Sequence, residues 1–218
     1  MDKTAVFGTA DGGSIPSEGT MINIIILDTD GIVVHREMYF SQRFSQTFGV
    51  PPEKVLRFFK NEFQLCLTGK ADLKEELSKY TPEWGWTKSV DDLLMFWFEN
   101  ENTIDQKILE HIQTLRKKGV CSYIDTNNEK YRAAYLFDNL GLKQFFDGTF
   151  SSAQLGCLKP QQEFWSAIHD ALGKPNKADV LVWDDDHEHV EAAKLFGFHA
   201  ERYSDFDTFT NRMSSFGL

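Results

Sequence analysis

A nearly continuous aliphatic run, Ile22 to Leu27, stops abruptly at Asp28-Thr29-Asp30-Gly31. Such a run, short and without alternation, suits a strand buried on both faces of a parallel sheet. The same grammar recurs at Val120 to Ile124 before Asp125-Thr126-Asn127, and at Val180 to Trp183 before Asp184-Asp185-Asp186. Shorter strands are expected at Gly148 to Phe150 and Phe198 to Glu201, and helical spacing of apolar residues marks Lys130 to Leu140 and Gln162 to Leu172. The alternation predicts an α/β fold with a Rossmann-like, doubly wound parallel sheet. Ligands of such sheets lie outside the carboxyl ends of the strands, where Asp28, Asp30, Thr126, Asp184 and Asp185 would converge.

One connection breaks the pattern. A parallel crossover needs little more than about a dozen residues, yet Thr29 through Asp125 separate the ends of the first two long strands. The insert reads as helices over Glu37 to Phe48, Pro52 to Leu67, Leu73 to Lys79 and Val90 to Phe98, an all-helical cap occupying 36–104. A further helix, Asp105 to Lys118, returns the chain to a core made of 21–35 and 105–218. Residues 1–20, a mixture of Gly, Ser, Thr and Asp, read as a flexible tail.

Composition narrows the function classes. Twenty-three Lys and Arg against 33 Asp and Glu leave a net charge of −10 with no basic stripe, which excludes nucleic acid as a partner. No apolar stretch approaches the roughly 20 residues a membrane helix needs, and 1–20 lack the basic start and apolar run of a secretory signal. Three cysteines without close-spaced pairs suggest neither disulfides nor zinc, so the expected compartment is the cytoplasm, and Cys121 and Cys157 are expected to be buried. The oligomeric state is left open.

Converging carboxylates pose a chemical problem. At about 3.5 Å they repel by roughly 5 kcal/mol per pair at an effective dielectric near 20. A bound cation resolves this, and an all-oxygen, carboxylate-rich site favours Mg²⁺ beside a phosphate oxygen.

The strand ending in Asp28-Thr29-Asp30-Gly31, Thr126-Asn127 after the second strand, Lys159-Pro160, and Asp184-Asp185 after another strand resemble, in order, the four motifs of the haloacid dehalogenase-like hydrolases. The resemblance spans about Ile22 to Ala200, and the insert is similar to the type I helical cap of sugar phosphatases, phosphoglycolate phosphatases and haloacid dehalogenases. It implies Asp28 as a nucleophile forming an aspartyl-phosphate and Asp30 as acid and base. It also implies Thr126, Asn127 and nearby main-chain N–H groups as phosphate ligands, and Lys159 as a fixed charge against the transition state. Mg²⁺ would be held by Asp28, the Asp30 carbonyl and Asp184, with Asp185 either ligating through water or holding Lys159.

Blander readings stand beside these. Acids after a strand are often caps, and Asp186 is expected to be one. His187 and His189 point to different helix faces and are expected to be solvated rather than zinc ligands. The cap aromatics Phe58, Phe59, Phe63, Trp84, Trp86, Phe96, Trp97 and Phe98 are expected mainly to pack, with at least one ring of the last three exposed or at the cap–core interface. Trp183 and Asp125 depart from the family pattern, and Asp125 places an additional acid beside the phosphate site. The implied activity is a Mg²⁺-dependent phosphomonoester hydrolase acting on a small soluble ester. Sugar phosphates rank first, then phosphoglycolate-like acids and nucleotides. The rivals are a 2-haloacid dehalogenase, a phosphomutase, and a catalytically silent module binding a phosphorylated ligand.

Overall fold

The computed structural model describes residues 21–218, so the tail expected over 1–20 lies outside the described residues. Strand β1 (Ile24–Asp28) opens the core, and Ile25, Ile26 and Leu27 have no exposed surface, as a strand covered on both faces requires. A two-residue strand β2 (Val34–His35) leads into the cap: α1 (Phe40–Phe48), α2 (Pro52–Lys60), α3 (Glu62–Cys66), α4 (Leu73–Tyr80) and α5 (Val90–Phe98). Strand β3 (Thr103–Ile104) pairs antiparallel with β2, so the two passages between core and cap run side by side.

The core continues through α6 (Gln106–Lys117), β4 (Cys121–Thr126) and α7 (Lys130–Ala134), which runs into a π-helical turn at Tyr135–Asn139. Then follow β5 (Gly148–Ser151), α8 (Ser152–Leu155), α9 (Gln162–Ala171), β6 (Val180–Asp184), α10 (His187–Phe196), β7 (His199–Arg202) and α11 (Phe206–Ser215). All pairs in the main sheet are parallel, in the order β5-β4-β1-β6-β7. The chain runs outward from β1 to β4 and β5, then returns across β1 to β6 and β7, so the switch point lies at the carboxyl end of β1, where Asp28 sits in register with Asp125.

The core buries two apolar clusters, one with Ile25 and Leu27 and one with Ile26, and the cap buries a third. The cap's is aromatic, with Phe40, Phe44, Phe58, Trp84, Trp97 and Phe98 among its buried members. Phe96 stays half-buried beneath Arg43, whereas Phe98 packs on Tyr135 of the core with ring centroids 5.3 Å apart, the interface expected of that run. No helix among the described residues is long and apolar enough to cross a membrane.

Several local expectations are corrected. The helix expected over Pro52 to Leu67 divides at Asn61, whose backbone leaves the helical region at φ −118°, ψ −94°. Helix α1 starts at Phe40 rather than Glu37, because the first amide is met by the Glu101 carboxylate at 2.9 Å, a cap from far along the chain. Strands β2 and β3 are too short to show alternation in sequence. Cys121 is exposed at the start of β4 and Cys157 is half-buried, while Cys66 is the buried cysteine. Helix α11, unannounced in the sequence reading, explains Trp183: it lays Phe209 against the indole at 4.7 Å between centroids and sets Met213 Sδ 3.2 Å from its Nε1.

Candidate active site

At the carboxyl ends of β1, β4 and β6 the side chains of Asp28, Asp125 and Asp184 close on one ammonium. Lys159 Nζ donates to Asp28 Oδ1 at 3.0 Å, Asp125 Oδ1 at 2.7 Å and Asp184 Oδ2 at 2.7 Å, and all four residues are buried. Lys159 comes from the loop between α8 and α9, held there by Asn127, whose Oδ1 accepts from Lys159 N at 3.0 Å while its Nδ2 donates to Lys159 O at 3.1 Å. The Asn127 side chain therefore clamps the lysine loop. With the side chain so engaged, the part of Asn127 that agrees with the phosphate role implied for it is its main chain.

The electrostatics follow from three acids around one lysine. Burial pushes the Asp28 carboxyl well above the usual carboxylate range; Lys159 pulls against this, and Asp184 and Asp125 add to it. Asp125 is raised by burial and by Asp184, against the pull of Lys159, and among the described residues its buried Oδ2 has no hydrogen-bond partner. Asp184 lies below the usual range: burial opposes its charge, but Lys159 and His189 Nδ1 more than offset it. Burial alone would lower Lys159, yet Asp125, Asp28 and Asp184 together hold it well above its ordinary value.

Oδ1 of Asp28 also accepts from Thr29 N at 2.8 Å, and among the described residues its Oδ2 has no protein partner. Two residues on, Asp30 Oδ2 accepts from Asn128 Nδ2 at 2.5 Å, and its Oδ1 lies 3.5 Å from Arg132. Asn128 Nδ2 also meets Thr126 Oγ1 at 2.6 Å, which leaves the Thr126 hydroxyl proton free to donate elsewhere. Arg132, on α7 and buried, further donates to the carbonyls of Phe98 and Glu101 where the cap returns to the core.

Of the two adjacent acids at the end of β6, Asp184 and not Asp185 meets Lys159. Asp184 faces Lys159, and its oxygens are also occupied by Asp186 N at 2.9 Å and His189 Nδ1 at 3.1 Å. Asp185 is exposed at the cleft with its carboxylate beside Gly31, where a Cβ would lie 2.5 Å from Asp185 Oδ2. His189 is consequently a partner of Asp184 and lines the cleft, contrary to the solvated role expected, whereas His187 is exposed. Asp186 caps α10 as expected, accepting from Glu188 N.

Oxygens of Asp28, Asp125 and Asp184 come within 4.8 Å of one another, but the Lys159 ammonium already bridges them. Among the described residues, Asp28 Oδ2 and the Asp185 carboxylate at the cleft meet no protein donor, and an all-oxygen set of that kind fits Mg²⁺.

Above the acids a cleft of about 780 Å³ separates core from cap. Its floor is made by Asp28, Asp30, Thr126, Asn128, Lys159 and Asp185, and its cap wall carries Phe40, Leu56, Phe59, Phe63 and Trp97. Asn128 and Arg132 went unnoticed in sequence; the signal available was their place just past the carboxyl end of β4.

A family model described as haloacid dehalogenase-like hydrolase matches residues 22–197. The GMP/IMP nucleotidase YrfG of Escherichia coli is 22% identical over 187 residues, 81% of this chain and 80% of the relative. Among solved structures, the HAD family enzyme bt-2542 of Bacteroides thetaiotaomicron, in complex with magnesium and inorganic phosphate, superposes with a TM-score of 0.73 at 18% identity, covering 86% of this chain and 98% of that one. L-2-haloacid dehalogenase of Xanthobacter autotrophicus superposes with a TM-score of 0.58 at 20% identity, covering 89% and 83%.

Proposed function

The chain belongs to the haloacid dehalogenase-like hydrolases, and from that membership we propose that it is a Mg²⁺-dependent phosphomonoester hydrolase acting on a small soluble phosphate ester through an aspartyl-phosphate. The observation that carries the reading is the asymmetry of Asp28, which lines the cleft: Oδ1 is pinned by Thr29 N and Lys159 Nζ, and Oδ2 has no protein partner among the described residues. A carboxylate held by one oxygen presents the other as a nucleophile.

In this mechanism Oδ2 attacks phosphorus and the bond from phosphorus to the ester oxygen breaks. Asp30, steadied by Asn128 and Arg132, gives its proton to the departing alcohol. Asp30 then takes a proton from the water that attacks the same phosphorus, the bond to Asp28 breaks, and inorganic phosphate leaves. The Thr126 hydroxyl and neighbouring main-chain N–H groups hold the phosphoryl oxygens, and Lys159 sets positive charge beside them. Asp28, the Asp30 carbonyl and Asp185 would hold Mg²⁺, which offsets the charge of the acids and the phosphoryl group.

Support comes from the magnesium and phosphate bound by the Bacteroides enzyme and from the nucleotidase name of the Escherichia coli relative. The haloacid dehalogenase also shares the fold, at a TM-score of 0.58, so the residues must decide. That chemistry needs neither a metal nor a second acid, and Asp30 with its two donors favours phosphate. Sugar phosphates and nucleotides are the leading substrate classes, and the cleft's size favours small esters over phosphoprotein.

The test is phosphate release from a panel of small esters, with Mg²⁺ and with chelator. Asp28→Asn should abolish release in a folded protein, and Asp30→Asn should slow it severely. Chloride release from a haloacid without Mg²⁺, and no phosphate from any ester, would transfer the assignment to the dehalogenase.

A further inference from the structure

Helix α2 has two apolar faces where packing calls for one. Val55 and Phe58 are fully buried in the cap's own core. On the adjoining face Pro52, Leu56 and Phe59 follow at helical spacing, Phe63 on α3 extends the stripe, and all four line the cleft. Leu56 is left 38% exposed. Phe59 stands edge-on to Phe63 and to Trp97, each at 5.1 Å between ring centroids, and Phe63 lies 5.6 Å from Trp97. Phe59 and Phe63 pack in part against the cap's core, yet the stripe keeps a free edge at Leu56 and is continuous with the acidic floor through one cavity.

The floor is occupied by groups suited to phosphate, so the alcohol portion of an ester reaches the cap wall. The cleft is also lined by Arg36, Tyr39, Ser41, Gln42 and Glu101, but sugar hydroxyls placed against the stripe itself would give up water and gain no partner from phenyl rings, an indole face or a leucine. A flat aromatic body would stack or pack edge-on against the same rings. The volume of about 780 Å³ accommodates such a body beyond the phosphate.

We infer that the substrate is a phosphate ester whose alcohol carries a flat aromatic or heteroaromatic body seated against Leu56, Phe59, Phe63 and Trp97. The inference rests on the phosphatase reading above and ranks such esters over sugar phosphates. The stripe was readable in sequence only as packing.

Ribose 5-phosphate and the 5′-monophosphates of adenosine, guanosine and inosine share the same leaving oxygen, so comparing them isolates the aromatic body. The expected result is a kcat/KM at least tenfold higher for one or more nucleotides, expressed mainly in KM. Leu56→Asn, at an exposed site, and Phe59→Ala, checked for folding by thermal melting, should each reduce that preference several-fold. Ribose 5-phosphate turned over as well as every nucleotide overturns the inference while leaving the phosphatase reading intact. So does a preference unaltered by both substitutions, or an equal loss on sugar and nucleotide esters. No Mg²⁺-dependent release from any ester overturns the phosphatase reading and this inference with it.

Discussion

Lys159 Nζ lies 2.7 Å from Asp125 Oδ1, a buried ammonium against a carboxylate with no exposed surface. Asp125 is a third acid near a site proposed to take a phosphate dianion, and its other oxygen has no partner. In Asp125→Asn, Oδ1 still accepts from the lysine while one negative charge disappears. Stability should change by no more than about 1 kcal/mol, because Asp28, Asp184 and the Asn127 clamp still anchor Lys159. KM should fall about two- to fivefold and inhibition by inorganic phosphate should strengthen. An unchanged KM with a collapsed kcat would make Asp125 a holder of the lysine and nothing more.

Gly31 has φ of 104°, a left-handed value, and leaves room for the Asp185 carboxylate. Gly31→Ala adds a Cβ that displaces this carboxylate and strains the backbone, at a cost of about 1 to 2 kcal/mol. Half-saturation by Mg²⁺ should rise at least about tenfold, as in Asp185→Asn. Magnesium titrations of activity that coincide with the parent would remove Asp185 from the ligand set.

Arg132 joins the cap to the proposed acid and base. Arg132→Gln leaves the buried carbonyls of Phe98 and Glu101 short of donors and takes a positive charge from beside Asp30. The expected loss is about 2 to 3 kcal/mol in denaturant unfolding and at least about tenfold in kcat, with a smaller change in KM. Arg132→Lys keeps the charge but loses the planar fork, so only partial recovery is expected.

Asp72 caps α4 and also accepts from Lys130 Nζ at 2.6 Å and Tyr131 Oη at 2.8 Å, tying cap to core. Burial works against its charge, but these donors and two main-chain amides bring its pKa down to about 2. A carboxyl depressed in the folded state stabilises the protein above its usual range and loses that contribution as pH falls through about 2. Asp72→Asn should cost about 1 to 2 kcal/mol near neutral pH, and unfolding at a series of pH values should show the difference closing between about pH 4 and pH 2.

The aliphatic runs made the central strands legible, because a strand covered on both faces has no choice but to be apolar, and their polar ends marked the site. Which of two adjacent acids turns to the lysine was not legible. That depends on the pleat at the end of β6 and on the turn in which Asp186 N bonds Asp184. Glu101 at the first amide of α1, Arg132 beneath the cap and Asn127 across from Lys159 act through contacts distant in sequence, and no local pattern encodes these. Asp125 was legible as an anomaly but not as a partner of Lys159.

The paired strands β2 and β3 carry both covalent passages to the cap, joined through Val34 with Ile104 and His35 with Thr103. Any rocking of the cap must pivot on this one ribbon. Arg36 and Glu101, next to the pivot, travel through short arcs, whereas side chains deeper in the cap sweep wider ones. A cap that rocked would use the ribbon as a fulcrum: its grip on the distal end of a bound ester would loosen for release while groups beside the axis kept their alignment for the next turnover.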